Sequence, residues 1–404
     1  MKKTFPKNFS LGSATSSYQI EGGNLNCDWA EFEKSHNLEQ CGAACNSYNL
    51  YEQDFDLAKE MHHNAHRFSI EWSRINPKEG VFDQKEIEHY RKVIRALKAR
   101  GIEPFVTLHH FTLPLWVSKK GGFTNRKTVD YFVEYAEYVI KSLGSEAKYW
   151  MTINEPIVFL SNGTISKLWP PGKGGLWQAQ KMFRNLAKAH KKTYLNIKKT
   201  NPNLQIGIAK NNFYYDIRNT RNIFKLIFAR ISKFLWNELF MNIIKGTNDF
   251  IGLNHYIYID LGNKIKLKNI DQIHLAPENP PDGEASKIKS DLGWEIYPES
   301  LYHCLKDLKK WNLPIYVTEN GLADKEDKLR KQFIHDYLEQ VLRAIDDGVN
   351  VKGYFYWSLL DNFEWHEGFK PRFGLIEVDY KTQKRTIRES AKYYAEVCRT
   401  GELI

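Results

Sequence analysis

The chain has 404 residues, 42% of them hydrophobic and 26% charged, which excludes a disordered polymer and leaves room for two ordinary domains or one large α/β barrel. The formal charge is +10, but Lys and Arg are dispersed, with only short pairs at Lys119-Lys120 and Lys191-Lys192, so it reads as a solvated surface and not as a nucleic-acid footprint. Aromatic residues reach 14%, including 11 Trp, a content suited to a large core and to stacking on flat ligands.

Met1-Lys2-Lys3 runs into Thr-Phe-Pro without an apolar leader segment, and no run is long enough to cross a membrane. The five cysteines (27, 41, 45, 304, 398) are odd in number and scattered, as expected of reduced thiols in a cytoplasmic protein. No metal or organic cofactor is expected.

In chain order, 5–23 predicts a first strand that ends in small residues, with Gln19 and Glu21 before a Gly-Gly turn. Loops and short helices follow to about Leu50, then a helix over 51–61 with Tyr51, Phe55, Leu57 and Ala58 on one face. Strands are predicted at 64–72, 102–110, 148–154, 204–213, 249–256 and 313–320, and an eighth within 351–365. Helices are predicted at 84–100, 126–143, 177–199, 221–245, 298–311, 327–347 and 387–398. Eight short apolar strands alternating with helices, with no linker or change of composition, predict one domain over 1–404: a single closed (β/α)8 barrel with a parallel sheet.

Two stretches carry the chemistry. MTINEP (151–156) and YVTENG (316–321) are β-type runs that each end in a glutamate followed by a chain breaker. In a closed barrel, Glu155 and Glu319 then reach the same mouth, at the carboxyl ends of the strands. Two carboxyls about 5 Å apart suffice for retaining glycoside hydrolysis, one as nucleophile and the other as acid and then base. Their environments must differ, so that one holds a proton and the other does not. Arg67, at the end of the second strand, is a candidate for keeping one of them ionised. Trp150 and Trp311 read as core residues. His62, His63 and His66 are split between a helix end and a strand, and read as surface or core residues and not as metal ligands.

TINEP and VTENG resemble the acid/base and nucleophile motifs of family 1 glycoside hydrolases, the β-glucosidase family. SATSSYQIEGG, NAHRFSIEWSRI, TLHHFTLP, DFIGLNHY and YWSLLDNFEWHEGFKPRFGLIEVD match in the family's order, from about Phe5 to Val397. The resemblance implies a retaining mechanism, with Glu155 as acid/base and Glu319 as nucleophile. It further implies that Gln19, His110, Asn154, Trp357, Glu364 and Trp365 hold the sugar, that Tyr256 bonds the nucleophile, and that Phe373 belongs to the family's Arg-Phe-Gly element in the same pocket. The implied activity is an exo-β-glycosidase. A β-glucosidase acting on cellobiose, short oligosaccharides or aryl glucosides comes first, β-galactosidase, β-fucosidase or β-mannosidase activity is the alternative, and a non-catalytic sugar-binding relative is the contrasting class. The expected partners are small β-glycosides, with no nucleic acid and no membrane.

The sequence also departs from the family. The segment 214–249, between strands five and six, is shorter than is usual there, and Ile157 stands where a Trp is common. Both changes fall on the leaving-group side, where Trp169 is expected to supply the remaining aromatic wall. Glu364 and Pro371 stand where relatives that take 6-phosphosugars are expected to have a small hydroxyl residue and a Lys.

Overall fold

The eight apolar runs form parallel strands in the computed structural model, which describes residues 3–218, 220–261 and 288–404. They are β1 (Ser10–Ala14), β2 (Ala65–Ser69), β3 (Glu103–His109), β4 (Tyr149–Asn154), β5 (Gln205–Asn211), β6 (Phe250–Asn254), β7 (Ile315–Asn320) and β8 (Val351–Trp357). Each pairs with its neighbours in sequence, and β8 pairs with β1, so the sheet closes into a barrel. Strands β2 to β7 are one to four residues shorter than the sequence predicted, with β4 and β7 keeping their expected ends at Asn154 and Asn320.

The outer layer is α1 (Ser47–Glu60), α2 (Gln84–Ala99), α3 (Lys127–Leu143), α4 (Leu176–Thr200), α5 (Ile223–Lys233), α6 (Glu299–Leu308), α7 (Arg330–Asp346) and α8 (Glu389–Thr400). The Asp83 side chain caps α2 by accepting from the Lys85 amide at 2.8 Å. Three predictions need correction. Helix α1 starts at Ser47, with Leu57 only half-buried, because its inner face is built around Phe55, Ala58 and an Asp54–Arg385 ion pair of 2.8 Å. The expected helix over 221–245 is broken: after α5 comes a π turn at Phe234–Glu238, then Leu239–Ile243. The segment around Gln19 is one helical turn, Ser17–Glu21, and not a strand continuation.

Two apolar layers hold the barrel. The larger lies between sheet and helices; Trp150 is wholly buried in it and Trp311 packs half-buried against it. The smaller fills the barrel itself with Phe105, Met151, Phe250, Tyr316 and Phe355. The Phe105 ring lies 4.8 Å from Phe355 and 5.0 Å from Tyr316, an aromatic plug beneath the mouth. Cys27, Cys41, Cys45 and Cys304 are buried thiols, Cys398 is partly buried, and all five are free. His63 and His66 are also buried, both within reach of the Ser13 hydroxyl.

Candidate active site

Strand alternation puts Tyr316 and Thr318 toward the barrel axis, which by itself would turn Glu319 outward. A register shift between Val317 and Glu319, in the pairing with β6, reverses the parity and aims Glu319 inward. A second shift, between Met151 and Asn154, does the same for the end of β4. Glu155 follows with a left-handed backbone (φ 41°), and Trp365 does likewise (φ 54°), conformations that non-glycine residues adopt at a cost. Just past the nucleophile motif, a Cβ on Gly321 would lie 1.7 Å from the Trp357 carbonyl oxygen, so only glycine lets β7 exit so close to β8.

Both carboxyls are nearly buried, and their surroundings differ. Glu319 forms an ion pair with the wholly buried guanidinium of Arg67. Its other oxygen accepts from the Tyr256 hydroxyl at 2.7 Å. Burial raises its pKa, and Arg67 and Tyr256 oppose that rise. Among the described residues no cation forms an ion pair with Glu155; its Oε1 accepts from Asn254 Nδ2 at 2.8 Å. Burial first, and then the charge of Glu319, push it from 4.5 up to about 8. The surroundings thus favour the ionised form at Glu319, through Arg67 and Tyr256, and the protonated form at Glu155.

Arg67 also ties the two strand ends together. It donates to Asn154 Oδ1 at 2.6 Å and to Thr107 Oγ1 at 3.1 Å. Asn154 Nδ2 lies 3.2 Å from His110 Nε2. Burial, and next Arg67, hold His110 well below its ordinary pKa, so it is a neutral imidazole that accepts at Nε2. Its Nδ1 is buried and has no hydrogen-bond partner among the described residues. The ring is near-parallel to Trp357 (5.9 Å, 19°) and Trp365 (6.1 Å, 14°). Gln19 is wholly buried, its amide nitrogen within 3.0 Å of Asn362 Oδ1 and 3.3 Å of Glu364 Oε2. Burial, then the charges of Glu319, Glu367 and Glu155, raise the pKa of Glu364. Phe373 is buried, with its ring 6.3 Å from Tyr256 and 6.1 Å from Trp294. The structure thus brings Gln19, Arg67, His110, Asn154, Glu155, Tyr256, Glu319, Trp357, Glu364, Trp365 and Phe373 to one end of the barrel.

Trp169 is 5% exposed, about as buried as Trp357 and Trp365; it packs 5.7 Å from Trp365 and 4.8 Å from Phe111, and donates from Nε1 to His366 Nδ1 at 3.0 Å. The ring backs Trp365, because the loop after β4 folds inward over Trp29. Asn254 was missed by the sequence reading. It bonds both Glu155 and Asn154, and Thr318 Oγ1 orients its amide at 2.7 Å. The available signal was a polar amide at a strand end, two residues before Tyr256. Among the described residues no group of three ligating side chains suited to a metal ion occurs, and no helix is long and apolar enough to cross a membrane.

Known proteins share this arrangement of strands. The family described as glycosyl hydrolase family 1 matches residues 1–222 and 218–403. A 1,4-β-D-glucan glucohydrolase of Thermotoga neapolitana is 35% identical over 453 residues, covering 99% of each chain. A β-glycosidase from Pyrococcus horikoshii superposes with a TM-score of 0.91 at 37% identity, covering 100% of this chain and 97% of that one. A β-glucosidase from Thermotoga maritima in complex with castanospermine superposes at 0.88 with 33% identity, each chain covered completely. Similarity also reaches a β-galactosidase of Pyrococcus woesei at 30% identity and a 6-phospho-β-galactosidase of Staphylococcus aureus at 31%. With both strand-end glutamates in place and the match running along nearly its whole length, this chain belongs to glycosyl hydrolase family 1.

Proposed function

We propose that the protein is a retaining exo-β-glycosidase, acting as one domain over 1–404, and that it removes terminal nonreducing β-D-glucosyl residues from cellobiose, short oligosaccharides or aryl glucosides. The observation that carries this reading is the split between the two carboxyls. Glu319, ionised against Arg67 and Tyr256, attacks the anomeric carbon. Glu155, protonated, gives its proton to the leaving oxygen, and as a carboxylate it then takes one from the water that releases the sugar. The Asn154 amide is placed for a 2-hydroxyl contact that strengthens in the transition state, and the Trp357 ring for the apolar face of the sugar.

Glucose is favoured over a 6-phosphosugar because Glu364, 3.3 Å from the Gln19 amide, is placed to bond sugar hydroxyls, and Pro371 supplies no cation to balance a phosphate. The test has two parts. Glu319→Gly should lose turnover and recover part of it with azide, giving an α-glycosyl azide; a β-adduct would overturn the assignment of Glu319 as the nucleophile. A panel of nitrophenyl β-glucoside, galactoside, fucoside, mannoside and 6-phosphoglucoside, ranked by kcat/KM, should place the glucoside first. A higher value for the 6-phosphate would overturn the role of Glu364.

A further inference from the structure

Helix α5 and the turn after it carry an apolar face that is exposed among the described residues. Phe224 is 78% exposed and Ile223 59%, while Ile227, Phe228, Ile231 and Leu235 stand between 47% and 53%. Their spacing of three and four residues places them on one side of the helix, and of α5 only Ala229 is buried, on the other side. Single exposed apolar residues are ordinary, but a contiguous strip of this size marks a contact surface.

What surrounds the strip is cationic. From Ile217 to Asn237 the sequence has Arg218, Arg221, Lys225, Arg230 and Lys233 and not one Asp or Glu. Lys233 pairs with Asp307 at 2.7 Å and Arg218 with Asp216 at 2.9 Å. Arg221 and Arg230 are exposed and border the strip, one just before its first residue and the other beside Ile231. The two stretches that match the family meet at 218–222, immediately before α5. On α4, the neighbouring barrel helix, the first turn bears Trp177 at 64% exposure, at the same end of the barrel.

We propose that α5 docks the enzyme on an anionic bilayer surface, with Phe224, Phe228 and Ile231 entering the headgroup–acyl boundary and Arg221 and Arg230 meeting acidic headgroups. A Phe/Ile/Leu face with the exposed cations Arg221 and Arg230 at its border is the pattern of a helix that lies in such an interface. A second copy of the chain fits less well: a two-fold contact through this face would set Arg221 and Arg230 of each copy against the same cations of the other. The helix is too short to span a bilayer, so this contact is with the surface alone.

Flotation of the full chain with vesicles tests the proposal. Vesicles of 70% phosphatidylcholine and 30% phosphatidylglycerol should carry the protein, and pure phosphatidylcholine should not. Binding should fall at least tenfold in the F224S/F228S/I231S variant and severalfold in R221Q/R230Q or in 0.5 M NaCl. Hydrolysis of a soluble aryl glucoside should be unchanged in both variants, since none of these residues lies at the site. A Phe224→Cys variant carrying a polarity-sensitive dye should shift to the blue on the anionic vesicles; this arm reads the contact even if the triple variant folds poorly. Absence of wild-type binding, equal binding to neutral vesicles, or no dye shift would overturn the proposal. So would a wild-type dimer that the triple variant makes monomeric without any vesicle binding, which would assign the face to a second copy.

Discussion

The side of the barrel built by β8, β1 and β3 and the side that follows β5 are opposites. On the first, nearly every polar atom is committed: Gln19 to Asn362 and Glu364, and His110 to Asn154, with Trp357 and Trp365 near-parallel to the imidazole. On the second, α5 presents solvent-exposed Ile and Phe, and no site residue comes from it. The difference teaches where selectivity resides. Prepositioned donors and rings lose little entropy on binding, so the first side can discriminate hydroxyls, whereas the second offers apolar area without direction.

The sharpest way to break this comparison is at the committed side. Glu319→Gly should cost roughly 10^5-fold in kcat, because it removes a covalent partner that nothing else replaces. Turnover that stays robust without an added anion would show that another group attacks.

Glu155→Gln should cost about 10^2- to 10^4-fold on cellobiose and much less on aryl glucosides with good leaving groups, which need less protonation. In the wild type, kcat/KM should rise on the acid side as Glu319 ionises and fall above about pH 8 as Glu155 loses its proton. The variant should lack the alkaline fall. Stability gives an independent check. Between about pH 4.5 and 8 the folded chain keeps a Glu155 proton that the unfolded chain has released, so this contribution declines as pH rises; denaturant melts of Glu155→Gln should be flatter across that window. Equal losses on both substrate types would remove Glu155 from the acid role.

Trp169→Ala sharpens the comparison, because the ring packs against Trp365 on the committed side. It should destabilise the fold by about 3–5 kcal/mol, as for other buried Trp truncations, and lower kcat/KM for small aryl glucosides and oligosaccharides alike. An effect confined to oligosaccharides would return Trp169 to the leaving-group wall.

The smallest effect concerns leaving-group length. The short segment 214–249 removes wall area without touching sugar-gripping residues, so kcat/KM should change only a few-fold from cellobiose to longer β-gluco-oligosaccharides. A steep fall with length would show that another element closes the mouth.

Much of the molecule was legible in the one-dimensional pattern. The eight strands, the closed barrel they imply, and Glu155 and Glu319 at strand ends are local features: short apolar runs, chain breakers and helical spacing. The sugar-side residues came through motif resemblance, which carries types and order but no distances. Tertiary structure alone decided which carboxyl receives the guanidinium. Arg67 and Glu319 are 252 positions apart and meet only because β2 and β7 face each other across a closed barrel. It decided the parity of β7, where a register shift overrides strict alternation to aim Glu319 inward. It decided that Asn254 joins the two strand ends and that Trp169 lies beneath Trp365, since each depends on a neighbour brought in by a different loop. It also broke the predicted helix over 221–245 and left an apolar face on the outside, because a helix period tells which residues share a side and not what stands opposite them.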